Sequence, residues 1–190
     1  MKNLLYLGPE NSRIINHLSL EGYNVTIIED KPSIELFLQN EYYLSFGYRY
    51  IIPIQILNKI ENPIVNIHIS YLPWNRGADP NIWSFLDDTP KGVSIHRIEQ
   101  GTDTGAIYMQ NEIIFEKKDT LRTSYDKLIK LAEDMFLFKG TDILKGKIVP
   151  VNQNLKMGTS HKSYDKEPYL ALFSKGYDTP VERLVGKGEI

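Results

Sequence analysis

Residues 66–83 read Asn-Ile-His-Ile-Ser-Tyr-Leu-Pro-Trp-Asn-Arg-Gly-Ala-Asp-Pro-Asn-Ile-Trp, and Asp-Thr-Gly follows at 103–105. In an extended chain, residues two apart share a face. Asn66, His68 and Ser70 therefore form one polar ladder, and Val65, Ile67 and Ile69 form the opposite, apolar side. A strand buried on both faces reads as nearly continuous apolar residues. An amide, an imidazole and a hydroxyl in a row at the end of such a strand cost stability, and a local breach of this kind is where a site is first sought.

Working outward, residues 4–7 and 42–46 are short apolar runs stopped by Gly8-Pro9 and Gly47, and residues 23–28 alternate with β-branched positions. With residues 64–69 these are four expected strands. Between them lie expected helices: one capped by Asn11 or Ser12, one over 32–39, and one opened by Pro53 and running through Lys59. A short helix is expected over 80–86. Residues 93–98 and 107–115 read as two more strands joined by a Gly- and Asp-rich turn. Beyond them Leu121, Tyr125, Leu128, Leu131, Ala132, Met135 and Leu137 fall at helical spacing, with Asp119 as the expected cap. Strands alternating with helices imply an α/β fold, with a mostly parallel sheet, an antiparallel edge and flanking helices. Ligands in such sheets sit beyond the carboxyl ends of the strands, where Asn66 and His68 lie. Residues 1–150 read as one domain. Residues 151–190, polar and rich in Lys and Gly, read as an irregular tail packed on it.

The composition narrows the function classes. Of 190 residues, 42% are hydrophobic and 24% charged, an ordinary globular balance. A net charge of −2 argues against a large nucleic-acid footprint, which needs clustered Lys and Arg. With no cysteine there is no disulfide framework, thiolate metal site or cysteine nucleophile, and a reducing cytoplasm is the expected compartment. The apolar run at 4–7 is too short for a signal peptide. No segment approaches the ~20 apolar residues that span a bilayer. Ser70 lacks a Gly-x-Ser-x-Gly setting. His-Glu-x-x-His is absent, so no metal is expected. Leu7-Gly8-Pro9-Glu10-Asn11-Ser12 lacks the later glycines of a dinucleotide fingerprint.

Three motifs carry a resemblance. Asn66-Ile-His68-Ile-Ser70-Tyr-Leu72-Pro73-Trp-Asn-Arg76-Gly77, then Gly92-Val-Ser-Ile-His96, then Asp103-Thr-Gly105 resemble the pattern of formyltransferases that use 10-formyltetrahydrofolate. The stretch 70–83 looks most like the sugar N-formyltransferase branch, and the likeness is strong over about residues 43–115. It implies a Rossmann-like formyltransferase domain, similar to the catalytic domain of methionyl-tRNA formyltransferase. The implied reaction moves a formyl group to the amine of a nucleotide-linked amino sugar, as in bacterial surface polysaccharide synthesis. The partners are then small molecules, with neither nucleic acid nor membrane. Glycinamide ribonucleotide formylation, or a non-catalytic folate- or nucleotide-binding module, are the alternatives. Compared with larger relatives, one β-α unit looks missing after the second strand, and no second domain follows the long helix.

By resemblance Asn66, His68 and Asp103 are the catalytic triad. Formyl transfer is acyl transfer, and needs a donor aimed at a developing oxyanion, a proton acceptor, and a group that orients the acceptor. An amide supplies the first, and an imidazole, which titrates near neutrality, the second. A carboxylate held between Gly101 and Gly105 supplies the third. The resemblance places the pteridine in a slot made by Tyr48, Tyr50, Ile51 and Ile52 from one loop and Glu99, Gln100 and Gly101 from another. Trp74, Asn75, Arg76 and Asp79 follow the catalytic strand. They either line the acceptor mouth or form a structured loop with Arg76 on backbone carbonyls, and the sequence leaves both open. His96 is likewise open between a structural hydrogen bond and the pocket wall. His17 is expected to face solvent, His161 is assigned nothing, and the outer face of the long helix offers a homodimer surface.

Overall fold

The computed structural model describes residues 2–188. Its main sheet has six strands: β1 (Lys2–Leu7), β2 (Tyr23–Ile28), β3 (Tyr42–Phe46), β4 (Ile64–His68), β6 (Gly92–Arg97) and β7 (Ile107–Glu112), in the order β2-β1-β3-β4-β6-β7. The first four are parallel. β6 runs antiparallel to β4, and β7 antiparallel to β6. Two further two-residue strands, β5 (Arg76–Gly77) and β8 (Ser160–His161), pair with each other in parallel. The helices are α1 (Ser12–Leu20), α2 (Ile34–Leu38), α3 (Ile54–Leu57), α4 (Pro80–Leu86) and α5 (Leu121–Leu144).

The period-2 alternation of the strands divides the helices between the two faces of the sheet. Leu4, Tyr6, Leu44, Val65, Ile67, Val93 and Ile95 pack against Ile14 and Leu18 of α1 and Leu128, Ala132, Met135 and Phe136 of α5. Leu5, Leu7, Tyr43 and Ile64 pack on the other face against Phe37 of α2 and Ile56 of α3. Asn66 and His68 continue the row begun by Ile64, so the polar ladder lies on this second face. There the two helices are only five and four residues long. A third cluster, Trp83, Phe85 and Leu86 of α4 with Leu121, Val181 and Leu184, fixes the end of the chain.

Four elements are shorter than their sequence patterns. β4 ends at His68, so Ile69 and Ser70 lie beyond it. α2 omits Pro32 and begins after Ser33, whose hydroxyl accepts the Leu36 N–H at 3.4 Å. α3 ends at Leu57, with Pro53 outside it as the cap. β7 stops at Glu112, short of Phe115. The cap of α5 is Thr120 rather than Asp119: Thr120 accepts the Thr123 N–H at 3.2 Å, and the Thr123 hydroxyl accepts the Thr120 N–H at 2.9 Å. This is a reciprocal capping box. His17, expected to face solvent, differs from that, and His161, assigned nothing, proves to be tied down. His17 is half-buried, edge-on to Phe136 at 6.4 Å. His161 stacks flat on Trp83 at 3.7 Å and bonds Asp87 at 2.8 Å. Its partners lie more than seventy residues away, beyond any local signal.

Asp119 does different work. Buried, it accepts the Glu116 N–H, the Thr123 hydroxyl and both contacts of the Lys127 ammonium, each at 2.8 Å. Burial pushes its carboxyl up, but the hydrogen bond from Lys127 and those from Glu116 and Thr123 outweigh this and hold it below the ordinary carboxylate range. Such a group stabilises the fold above its unfolded pKa, and the gain is lost as pH falls through the folded one. Asp119→Ala is expected to lower unfolding free energy by about 2 kcal/mol near neutral pH. In urea titrations the gap should close only below about pH 4.

Candidate active site

The polar ladder of β4 faces a second polar row on β6. Asn66 lies opposite His96, and His68 opposite Ser94. The β6–β7 pairing shifts register between Ile95 and His96, the kind of irregularity that re-aims a side chain. Asn66 Nδ2 is 3.0 Å from His96 Nε2. His96 Nδ1 lies 2.9 Å from the Arg97 carbonyl, which can only accept, so Nδ1 carries the proton. In the neutral ring Nε2 then accepts one Asn66 N–H, and the second amide hydrogen remains for another partner.

His68 is fixed in the same way. Its Nε2 is 3.2 Å from the Asn75 carbonyl and therefore donates to it. That leaves Nδ1 as the nitrogen that exchanges protons, and it faces Asp103 Oδ2 at 3.7 Å. The gap exceeds a direct hydrogen bond and suits a bridging water or an amine. Asp103 Oδ2 also accepts the Gly77 N–H at 2.9 Å, while Oδ1 is 3.4 Å from His96 Nε2. Burial pushes the Asp103 carboxyl up. Electrostatic attraction to the His68 and His96 rings, together with the hydrogen bond from the Gly77 N–H, outweighs this and holds it well below the usual carboxylate range. Asp103 is thus an anion beside both imidazoles throughout the neutral range. The structure brings Asn66, His68 and Asp103 to one place, with His96 between them.

Two loops form the rim, and both are strained. Asn75, Asp79 and Asp103 have φ of 54°, 52° and 51°, a region non-glycine residues seldom occupy and one that collects at functional sites. The 70–79 loop, which includes a cis Leu72-Pro73 bond, is held from below. The Ser94 hydroxyl donates to the Ser70 carbonyl at 2.6 Å and accepts the Leu72 N–H at 3.0 Å. Gln110 Nε2 donates to the Leu72 carbonyl at 2.7 Å and to Ser94 at 2.8 Å. Ser70 itself donates to the Trp74 carbonyl at 2.6 Å. Ser70 thus builds the loop that carries Asn75 under His68.

The remaining sequence candidates separate. Ile52 is buried in the α2/α3 core, whereas Ile51 is 86% exposed. Tyr48 and Tyr50 meet edge-to-face at 5.5 Å, and the Tyr48 hydroxyl donates to the Asp30 carbonyl. Glu99 pairs with Arg97. Glu99 and Gln100 line a cleft of about 320 Å³ with Ile54, Leu57, Ile60 and Ile98, but Tyr48–Ile52 do not. Gly101, at φ 110°, opens the turn to Asp103. Arg76 donates through Nε to the Thr159 carbonyl at 3.3 Å, and Asp79 pairs with Lys166 at 2.7 Å, while Trp74 is half-buried. A larger cavity of about 560 Å³, among Phe85, Lys91, Phe115 and Val181, touches none of the triad. Among the described residues no cluster of three or more His, Cys, Asp or Glu could hold a metal ion, and no helix is long and apolar enough to cross a membrane.

Three residues that shape this site carry no expectation from the sequence, Ser94, Gln110 and Gln153, while Asn75, a candidate for the acceptor mouth, holds His68 through its carbonyl. Ser94 and Gln110 are polar interruptions of strands and carry the same signal as Asn66. Asn75 and Gln153 sit in loops and act through partners far along the chain.

Comparisons with known proteins bear on this geometry. A family model described as formyl transferase matches residues 35–138. The chain is 36% identical over 126 residues to the methionyl-tRNA formyltransferase of Prochlorococcus marinus, a match covering 66% of this chain and 38% of that protein. Against the same enzyme of Fusobacterium nucleatum it is 28% identical over 169 residues, covering 87% and 54%. The chain thus spans between about a third and half of the length of these curated relatives. Among solved structures, the formyltransferase PseJ from Anoxybacillus kamchatkensis superposes with a TM-score of 0.94 at 44% identity, covering 98% of this chain and all of that one. That structure is a complex with UDP-4,6-dideoxy-4-formamido-L-AltNAc and tetrahydrofolate. A 4-N formyltransferase from Francisella tularensis shares the fold, with a TM-score of 0.77 at 19% identity, covering 88% and 78%.

Proposed function

The chain belongs to the formyl transferase family, and from that premise we propose that it moves a formyl group from 10-formyltetrahydrofolate to the amine of a nucleotide-linked amino sugar. The observation that carries this reading is the convergence of Asn66, His68 and the Asp103 carboxylate at the open end of β4. The likeness to PseJ over 98% of this chain supports a UDP-linked 4-amino-4,6-dideoxy sugar as the acceptor, its amine corresponding to the formamide in that complex. Exposed Tyr50 and Ile51 offer apolar surface for a flat folate ring, whose polar edges need backbone groups such as those of residues 99–101. The folate supplies the formyl carbon.

The residues then divide the work. The free Asn66 N–H is aimed at the carbonyl oxygen as it gains charge. His68 Nδ1 takes the proton the amine sheds as its nitrogen bonds the formyl carbon, and the resulting imidazolium keeps its other N–H on the Asn75 carbonyl. The proton then passes to N10 of the folate as the formyl C–N10 bond breaks and tetrahydrofolate leaves. The Asp103 carboxylate at 3.7 Å stabilises that cation. Trp74, Arg76 and Asp79 lie at the acceptor mouth, where an aromatic face and a guanidinium suit a nucleotide. Arg76 keeps only part of its donor set for this, because Nε is engaged by Thr159.

The test is turnover of 10-formyltetrahydrofolate with a UDP-linked 4-amino-4,6-dideoxy sugar, followed by mass spectrometry. A product heavier by one formyl group in place of one hydrogen is expected. Folate binding without any acceptor-dependent turnover, across a panel of amino sugars on different nucleotides, would mean a binding module instead.

A further inference from the structure

Residues 151–161, after α5, touch the site's loops at several points. Val151 and Ile107 exchange N–H···O bonds of 2.8 Å at the start of β7. A side chain at Gly158 would meet the Pro73 carbonyl oxygen at 2.0 Å, so the backbone lies flat against the 70–79 loop. The Thr159 hydroxyl accepts the Asn75 N–H at 2.9 Å, and the Thr159 carbonyl accepts the Arg76 N–H at 3.1 Å. β8 then pairs with β5, whose Gly77 N–H holds Asp103.

Gln153 lies in the middle of this segment. Its Nε2 donates to the Asp103 carbonyl at 2.9 Å and to the Gly105 carbonyl at 2.7 Å. Among the described residues no backbone N–H donates to either carbonyl. The turn it clasps has little freedom otherwise. Asp103 sits at φ 51°, and Gly105 presses so closely on β6 that a side chain there would meet the Arg97 carbonyl oxygen. A turn in a sparsely populated conformation persists only where its surroundings over-determine it. Both carbonyls accept, so the amide nitrogen is the atom facing them.

We propose that residues 151–161 are a strap that completes the active site, and that Gln153 is the positioning residue for Asp103, clasping its turn so that the carboxylate stays between His68 and His96. Gln153 touches no reacting atom and acts through Asp103. The inference rests on the formyl-transfer reading for its kinetic test alone. A second test reads the clasp without any substrate.

Gln153→Met keeps length and volume but removes both donors. It is expected to lower kcat by about 10- to 100-fold, the scale of a displaced catalytic group, with both KM values within about two-fold. In an Asp103→Asn background the same change should alter kcat by less than about two-fold, because the two substitutions share one route. In substrate-free protein, hydrogen exchange at the Gly77 amide should quicken at least about ten-fold while the β1 amides keep their protection. Equal kcat losses in both backgrounds, or a kcat within two-fold of the parent, would overturn the proposal. So would Gly77 exchange that is unchanged, or that rises together with β1. Should the parent protein show no formyl transfer, the functional reading fails, and the exchange measurement still decides the clasp.

Discussion

His68→Ala is expected to lower kcat for formyl transfer by about 10²- to 10⁴-fold, the usual contribution of a positioned acid–base group. The loss should fall on kcat rather than on either KM, because Nδ1 acts only when the amine sheds its proton. The ring is locked in one tautomer by the Asn75 carbonyl, and that carbonyl sits in a loop held by Ser94 and Gln110. Removing the imidazole leaves the loop's own ties in place, so the thermal midpoint should change little by comparison. Added imidazole should restore part of the rate. Full activity in the variant would remove His68 from the mechanism.

Asn66→Ala is the second large effect. Loss of one donor to a developing oxyanion costs about 2.7–4 kcal/mol, or about 10²- to 10³-fold in kcat. The substitution also removes the hydrogen bond to His96 Nε2. Full activity in the variant would remove Asn66 from the mechanism.

Much of the fold was legible because period-2 apolar runs and the 3.6 spacing of α5 report burial directly. The parallel sheet of the first four strands and the antiparallel addition of β6 and β7 follow from that reading, whereas the strand order β2-β1-β3-β4 does not. The end of β4 was legible for the opposite reason, since its ladder breaks the apolar pattern. Boundaries were less so. Thr120 rather than Asp119 caps α5 because Asp119 is drawn off by Lys127 and Glu116, a competition the local sequence does not display. Arg76 illustrates a further limit: its Nε partner, Thr159, is 83 residues away. Gln153 and His161 gave no signal at all, because a polar residue in a polar stretch looks like solvated chain until the fold brings its partner to it.

The strap has a bearing on how the protein is made. Ribosomes release the sheet before the residues that finish its catalytic rim, because Asn75 waits for Thr159 and Asp103 for Gln153. A nascent chain whose exposed portion stops near residue 148 already contains all six main strands and α5. It would have the two clusters on the faces of the sheet, an intact Asn66–His96 pair and a loose carboxylate, while the third cluster waits for Val181 and Leu184. Competence for chemistry would then arrive as a late and separate event, well after burial of the sheet's apolar faces.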